Sequence, residues 1–281
     1  MLVQEGCIFM GVIAFSLGNA TGYLYGCMVM SAILAGMLAA WAAVRLRGED
    51  FFVVVDFLLW GLPAGLLLSR LGYVFAHWQS YSGHWQTALC FWQGGLSMYG
   101  AAFGFLLMAW GYCSWKGLSL WYWLDILAPA LLLGLAVHEL GIFATQMTVG
   151  APLPSNLPDD HKLVEYIDYC YRPSGFENYQ YFRPVALYQA GMQLVACVLV
   201  ALLSVFDAHR KQLAAGGIFL LTAAAAAFIR VGCGFWYLST EPWYMLHFGQ
   251  WVAVLLGMVC LVIFGLRQRR RRSSWYQRGR W

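Results

Sequence analysis

The feature that most constrains this chain is a repeat of length: apolar runs of about 20 residues recur along most of it. At about 1.5 Å per helical residue each run is long enough to cross roughly 30 Å of hydrocarbon. The runs fall at 21–44, 52–75, 97–115, 120–142, 185–206, 214–238 and 245–266. Polar breaks separate them at Arg45 to Asp50, His77 to Gln93, Ser114 to Gly117, Thr148 to Arg183, Asp207 to Lys211 and Ser239 to Glu241. Of 281 residues 61% are apolar and 11% charged, which excludes a water-solvated globule of this size. The expected fold is an all-α integral membrane protein with seven transmembrane helices.

Orientation follows from cationic residues, which are retained in short cytoplasmic loops. Arg45, Arg47, Lys116, Arg210, Lys211 and the tail residues Arg267, Arg269, Arg270, Arg271, Arg272, Arg278 and Arg280 fall on one side, 12 of the 17 Lys and Arg. Lys162, Arg172 and Arg183 lie in the long loop 148–183, where the charge rule is weaker, and Arg70 and Arg230 lie in or at the mouth of spans. The amino terminus is therefore expected outside and the carboxyl terminus in the cytoplasm. The net charge of +4 comes from the tail 267–281, an anchor for anionic headgroups at about 1 kcal/mol per residue rather than a nucleic-acid site.

Residues 1–20 hold a short apolar stretch, too short to span, which reads as an outer-face interfacial segment with no cleavable signal. The membrane domain then covers 21–266. Within it, the loop 148–183 opens on Pro152, Pro154 and Pro158 and continues acidic and tyrosine-rich, as a separate outer cap would. Its Tyr166, Tyr169, Tyr171, Tyr179 and Tyr181, with Trp78, Trp85 and Trp92 of loop 76–96, read as an interfacial aromatic belt. Eight cysteines show no metal-ligand spacing, and no metal or cofactor is expected. Cys27, Cys113, Cys197, Cys233 and Cys260 are small apolar residues of spans, whereas Cys90 and Cys170 both fall in outer loops, and whether they pair depends on a geometry that spacing does not give.

Ionisable groups inside a bilayer cost several kcal/mol unless paired or wetted, so each is a functional candidate. Arg70, His138, Glu139 and Arg230 share a similar outer depth, where they would line one cavity; the alternative is that Glu139 neutralises Arg70 or Arg230 as a buried structural pair. Asp56 and Asp125, near the cytoplasmic starts of their helices, suit the positive end of the helix dipole.

A family resemblance rests on strings in a fixed order. Leu68-Ser69-Arg70-Leu71-Gly72-Tyr73-Val74 is followed, after the outer loop, by Trp92-Gln93-Gly94-Gly95-Leu96-Ser97-Met98-Tyr99-Gly100. Asp125-Ile126-Leu127-Ala128-Pro129, Leu140-Gly141 with Phe143, Pro184 with Leu187-Tyr188, and Gly249-Gln250 come next, and Tyr25-Gly26 stands in the first run. Over roughly 21–266 the chain resembles the bacterial prolipoprotein diacylglyceryl transferases. That resemblance implies a multi-pass protein of the bacterial cytoplasmic (inner) membrane. It also implies an activity, transfer of a diacylglyceryl group from phosphatidylglycerol to the cysteine thiol of a lipoprotein precursor. Such chemistry needs cationic donors for the departing phosphate and a base for the thiol proton.

The chain departs from the family pattern where that chemistry lives. The family's Gly-Gly-x-x-x-His-Gly string has Tyr99 in place of its His. Its signature Gly-Arg-x-Gly-Asn-Phe-x-Asn-Gly-Glu corresponds to His138 through Met147, which puts Glu139 at the signature Arg, Ile142 and Thr145 at the two Asn, and Met147 at the final Glu. The acid after the family's Leu-Tyr is Gln189, and the one a turn beyond its sixth-span Arg is Gly234. Tyr25, Arg70, Gly94, Gly95 and Arg230 survive as candidates for holding a phospholipid headgroup, phosphatidylglycerol among them. His138, Tyr99 and Arg230 are the catalytic candidates if the chain is active, and Glu139 is the buried charge partner.

Three readings follow. The chain is a degenerate homologue serving as a non-catalytic membrane subunit or lipid-binding protein, with other subunits of a membrane complex or a lipoprotein precursor as partners. Alternatively it is an active diacylglyceryl or related lipid transferase with a rewired site. The third reading is an unrelated seven-span carrier or receptor.

Overall fold

The computed structural model describes residues 13–17, 20–81, 95–153, 163–169, 172–210, 212–238 and 248–278. Among the described residues there are seven long helices, α1 (Leu24–Arg47), α2 (Phe52–Ala76), α4 (Met98–Lys116), α5 (Leu120–Ala144), α6 (Val185–Arg210), α7 (Gly217–Gly234) and α8 (Phe248–Arg278), with a single turn α3 (Trp78–Tyr81) after α2. Six of them are long and apolar enough to cross a bilayer. The remaining one, α4, ends where the third polar break predicts a span to end, but Tyr99, Tyr112, Ser114 and six glycine or alanine positions dilute its apolar content. The protein is thus a helical, multi-pass membrane protein. Its outward faces are apolar rather than charged, as Leu59, Leu67, Phe75, Trp110, Leu202 and Leu255 illustrate, each more than half exposed.

Two features differ from the sequence reading. The strand β1 (Ile13–Leu17) pairs antiparallel with β2 (Ala20–Tyr23), so α1 begins at Leu24 rather than 21. Strand pairing lets this short segment satisfy backbone groups that a peptide too short to span would otherwise expose at the interface. At the other end α8 continues without a break through the basic tail to Arg278, where a separate tail was expected from 267. Arg267 Nε donates to the Ala215 carbonyl (3.0 Å) and Gln268 Nε2 to that of Gln212 (3.0 Å), so side chains of α8 close the orphan carbonyls of the loop before α7.

The chain divides into two compact units, Val44–Leu124 and the remainder, Met1–Ala43 with Asp125–Trp281. The Val44–Leu124 unit is built on a seam between α2 and α4 made of small residues. A Cβ on Gly104 would lie 2.6 Å from the Ala64 carbonyl oxygen, one on Gly61 would meet Phe105 at 2.7 Å, and one on Gly100 would collide with the Leu68 carbonyl. In a bilayer there is no hydrophobic drive between helices, so close backbone approach through glycine supplies the packing. Asp56 accepts from Tyr112 Oη at 2.5 Å across the same seam. It is therefore a half-buried interhelical acceptor more than a dipole charge.

In the larger unit α1 lies on α5 through Gly36, Gly134 and Gly141, the last against Met28. Ala128, Leu132, Val200 and Ile218 form a core shared by α5, α6 and α7. Asp125 is 4% exposed and accepts from the backbone N–H of Gly216 (2.6 Å) and Phe219 (2.8 Å). It caps the amino terminus of α7, not of its own helix as the sequence position suggested, and meets two of the four donors that a helix start leaves unpaired.

The described residues between 148 and 183 fold back as a small strand-bridged layer, the capping layer. The strand β3 (Glu165–Tyr166) pairs with β4 (Tyr181–Phe182), and isolated bridges join Gly150 to Tyr237 and Pro152 to Phe182. Backbone bonds from Ala151 N to Trp236 O (2.9 Å), Leu238 N to Val149 O (3.1 Å) and Arg183 N to Ala151 O (3.1 Å) lace it to the end of α7 and the start of α6. Ile167 and Phe182, both fully buried, give it a core of its own.

Candidate functional site

The polar residues of the larger unit gather toward the carboxyl ends of α5 and α7 and the amino end of α6. Tyr25 Oη of α1 and Nε2 of His138 on α5 lie 3.2 Å apart, with the rings edge to face. Glu139, the next residue, is 4% exposed and accepts from Gln189 Nε2 of α6 at 2.6 Å. Two positions at which the sequence departs from the family pattern are therefore in direct contact, although 50 residues separate them. Neither residue alone announces the pair, and the only sequence signal is that both are polar in apolar runs.

Arg230 stays exposed on α7 within electrostatic range of both His138 and Glu139. It does not neutralise the acid by contact, since Glu139 Oε2 has no hydrogen-bond partner. The buried ion pair that the sequence left open thus takes another form, an acid bonded to an amide with a cation at longer range. Tyr237, just past α7, is in electrostatic range of Glu139, Arg230 and Cys233 as well. The third altered position is also accounted for: a Cβ on Gly234 would collide with the side-chain amide of Gln250, so that amide occupies the space an acid there would need.

Like Glu139 Oε2, Gln189 Oε1 and Gln193 Oε1 are buried without a partner among the described residues. Glu139, Gln189 and Gln193 are 4%, 2% and 3% exposed. Each buried acceptor left unmet costs on the order of 1–3 kcal/mol, so three together mark a place built for something more than packing.

Arg70 belongs to the other unit, and its surroundings are of a different kind. It is 5% exposed, donates from Nη1 to the Gly95 carbonyl (3.2 Å) and lies 5.9 Å from the Tyr73 ring centroid. Gly95 has φ +73°, and a Cβ there would stand 2.9 Å from Arg70 Nη1, so both the backbone conformation and the close approach call for glycine. Ser97 locks the same turn: its N–H donates to Ser69 O (3.0 Å), its carbonyl accepts from Ser69 Oγ (2.9 Å), and its hydroxyl caps α4 at Gly100 N (3.3 Å). Tyr99 follows in the first turn of α4, half-buried. Gly94 and the cysteines Cys90 and Cys170 lie outside the described residues.

In the capping layer Arg172 donates to the carbonyls of Ile167 (2.9 Å) and Glu177 (2.8 Å) and lies over the rings of Tyr166 and Tyr169, at 5.9 and 5.6 Å. These two tyrosines, expected as interfacial anchors, hold the layer's own cation. Glu165 is a residue the sequence reading passed over. It is 4% exposed, its two carboxylate oxygens have no partner among the described residues, and burial pushes its carboxyl up to about 7.

Comparison with known proteins fits this geometry. The sequence model of the prolipoprotein diacylglyceryl transferase family matches residues 12–266. The chain is 34% identical over 194 residues to the phosphatidylglycerol-prolipoprotein diacylglyceryl transferase of Synechocystis sp., covering 68% of this chain and 66% of that one. It is 32% identical over 226 residues to that of Gloeobacter violaceus, covering 80% and 81%. It is 28% identical over 271 residues to that of Limosilactobacillus reuteri, covering 95% and 94%. The chain belongs to the prolipoprotein diacylglyceryl transferase family.

Proposed function

We propose that this chain is a lipid-binding, non-catalytic member of its family in the bacterial inner membrane. It crosses the bilayer seven times, α4 included, with its amino terminus and the capping layer 148–183 outside and its basic end in the cytoplasm. The observation that carries the reading is the Glu139–Gln189 contact. Where the family pattern has an Arg followed by an acid on the next span, this chain holds an acid bonded to an amide. An anionic side chain repels a leaving phosphate, and an amide takes no proton from a thiol. Gln250 filling the space beside Gly234 removes a second acid from the same neighbourhood. Arg70, Gly95, Tyr25 and Arg230 keep headgroup affinity without the base. Membrane-complex subunits or a lipoprotein precursor would meet the chain at its capping layer.

A second reading has its own observation, the 3.2 Å contact between Tyr25 and His138. An imidazole oriented by a phenol is equipped to take a thiol proton, with Arg230 beside it and Tyr99 as a further candidate. One experiment separates the two: expression in a strain depleted of its own diacylglyceryl transferase, with the mass of a reporter lipoprotein followed. Unmodified precursor in the presence of well-expressed protein is expected. Accumulation of diacylglyceryl-modified reporter, abolished by His138→Ala, would overturn the non-catalytic reading in favour of the second.

A further inference from the structure

Three acceptor oxygens on two packed helices have no donor among the described residues: Glu139 Oε2, Gln189 Oε1 and Gln193 Oε1. Gln189 and Gln193 are one turn apart on the buried face of α6. Gln189 has already given its amide N–H to Glu139, which leaves its carbonyl free to accept. The set is short of donors and carries one negative charge. A phosphate or carboxylate placed here brings only acceptors, so it would satisfy none of the three and would repel Glu139.

A primary ammonium has the opposite character: three N–H donors and a positive charge, matching the three unmet acceptors in number and the carboxylate in sign. Arg230 is exposed and within electrostatic range of Glu139, so a cation is available for an anionic group attached to that ammonium. The cluster lies on α5 and α6, both long and apolar enough to span the bilayer, which makes a lipid the source of the headgroup. We infer that the Glu139–Gln189–Gln193 cluster binds the primary ammonium of a zwitterionic phospholipid, with Arg230 facing its phosphate. This rests on the lipid-binding reading above and gives it a headgroup class.

The test uses the full chain in mild detergent, equilibrated with equal amounts of phosphatidylethanolamine, phosphatidylcholine and phosphatidylglycerol of identical acyl chains, and native mass spectrometry of the bound lipid. Phosphatidylcholine has the same charges as phosphatidylethanolamine but no N–H, so it separates hydrogen bonding from charge. Phosphatidylethanolamine is expected to be retained at least tenfold over both others, and Glu139→Gln or Gln193→Leu should cut that excess below threefold. If Gln193→Leu fails to fold, Glu139→Gln carries the test, because it is nearly isosteric and keeps the bond from Gln189. Equal retention of the ethanolamine and choline lipids, or a preference for phosphatidylglycerol, would overturn the ammonium site and leave lipid binding standing. No retained lipid of any kind would overturn the lipid-binding reading itself.

Discussion

The two polar centres of this protein are built on opposite economies. Around Arg70 the buried guanidinium has a carbonyl and an aromatic face, the turn that carries Gly95 is locked by Ser69 and Ser97, and the residues match the family pattern. Around Glu139 the residues depart from that pattern, and three acceptors are left open. The contrast teaches that substitution did not merely erode a site. It replaced charges by groups that still touch one another, at 2.6 Å, while shifting the local demand from acceptors to donors. One centre is satisfied by the protein; the other waits for a ligand.

That comparison can be broken by substitution. The largest effect belongs to the Arg70 unit: Gly100→Val drives a branched side chain into the Leu68 carbonyl, and loss of cooperative thermal unfolding in detergent is expected. If Gly100→Val unfolds like the parent, the α2–α4 seam is not close-packed. Arg70→Leu in the same unit strands the Gly95 carbonyl and should lower stability by about 2–3 kcal/mol. In the larger unit Asp125→Ala uncaps α7 at two backbone donors, with an expected cost of about 2 kcal/mol; an unchanged midpoint would show that the cap contributes nothing.

Glu165 gives a pH-dependent prediction. Its folded carboxyl titrates near 7, above the usual carboxylate range, so its contribution is fully present below about pH 4.5 and is lost as pH rises to about 7. Glu165→Gln should therefore flatten the fall in stability over that window, by up to about 3 kcal/mol, as read by unfolding midpoints at pH 5 and 8. A parent protein with no such fall would mean that the carboxylate finds a partner. The smallest effect is expected at the open centre itself. Glu139→Gln keeps the bond from Gln189 and removes a buried charge, so stability should change by less than about 1 kcal/mol. A large loss there would make Glu139 a structural anchor like Arg70.

The helices were legible because a bilayer demands continuous apolar length, and the runs that begin at 52, 120 and 185 match α2, α5 and α6 at their starts. The pairing of β1 with β2 was not, since the apolar residues there show no alternation that would separate a strand from an interfacial helix. Asp125 was recognised as a helix-terminus charge but assigned to the wrong helix, because a cap formed 91 residues away leaves no local pattern. The candidate residues His138, Glu139 and Arg230 were named from polarity alone, and Tyr25 from the family resemblance. What polarity could not give was the partner, and it was a glutamine rather than an arginine that Glu139 found. Glu165 was missed because it stands in an acidic, tyrosine-rich loop that reads as solvated, and only the fold-back of β3 on β4 buries it.

The lacing of the capping layer has a consequence for how this family member can change. The bonds from Ala151, Leu238 and Arg183 that hold it run between main-chain groups, so they constrain the path of the chain and hardly its lettering. Side chains that point away from Ile167, Phe182 and the contacts of Arg172 with Tyr166 and Tyr169 are free to drift without dismantling the scaffold beneath. A frame of this kind can acquire a new clientele faster than the buried machinery can acquire a new reaction.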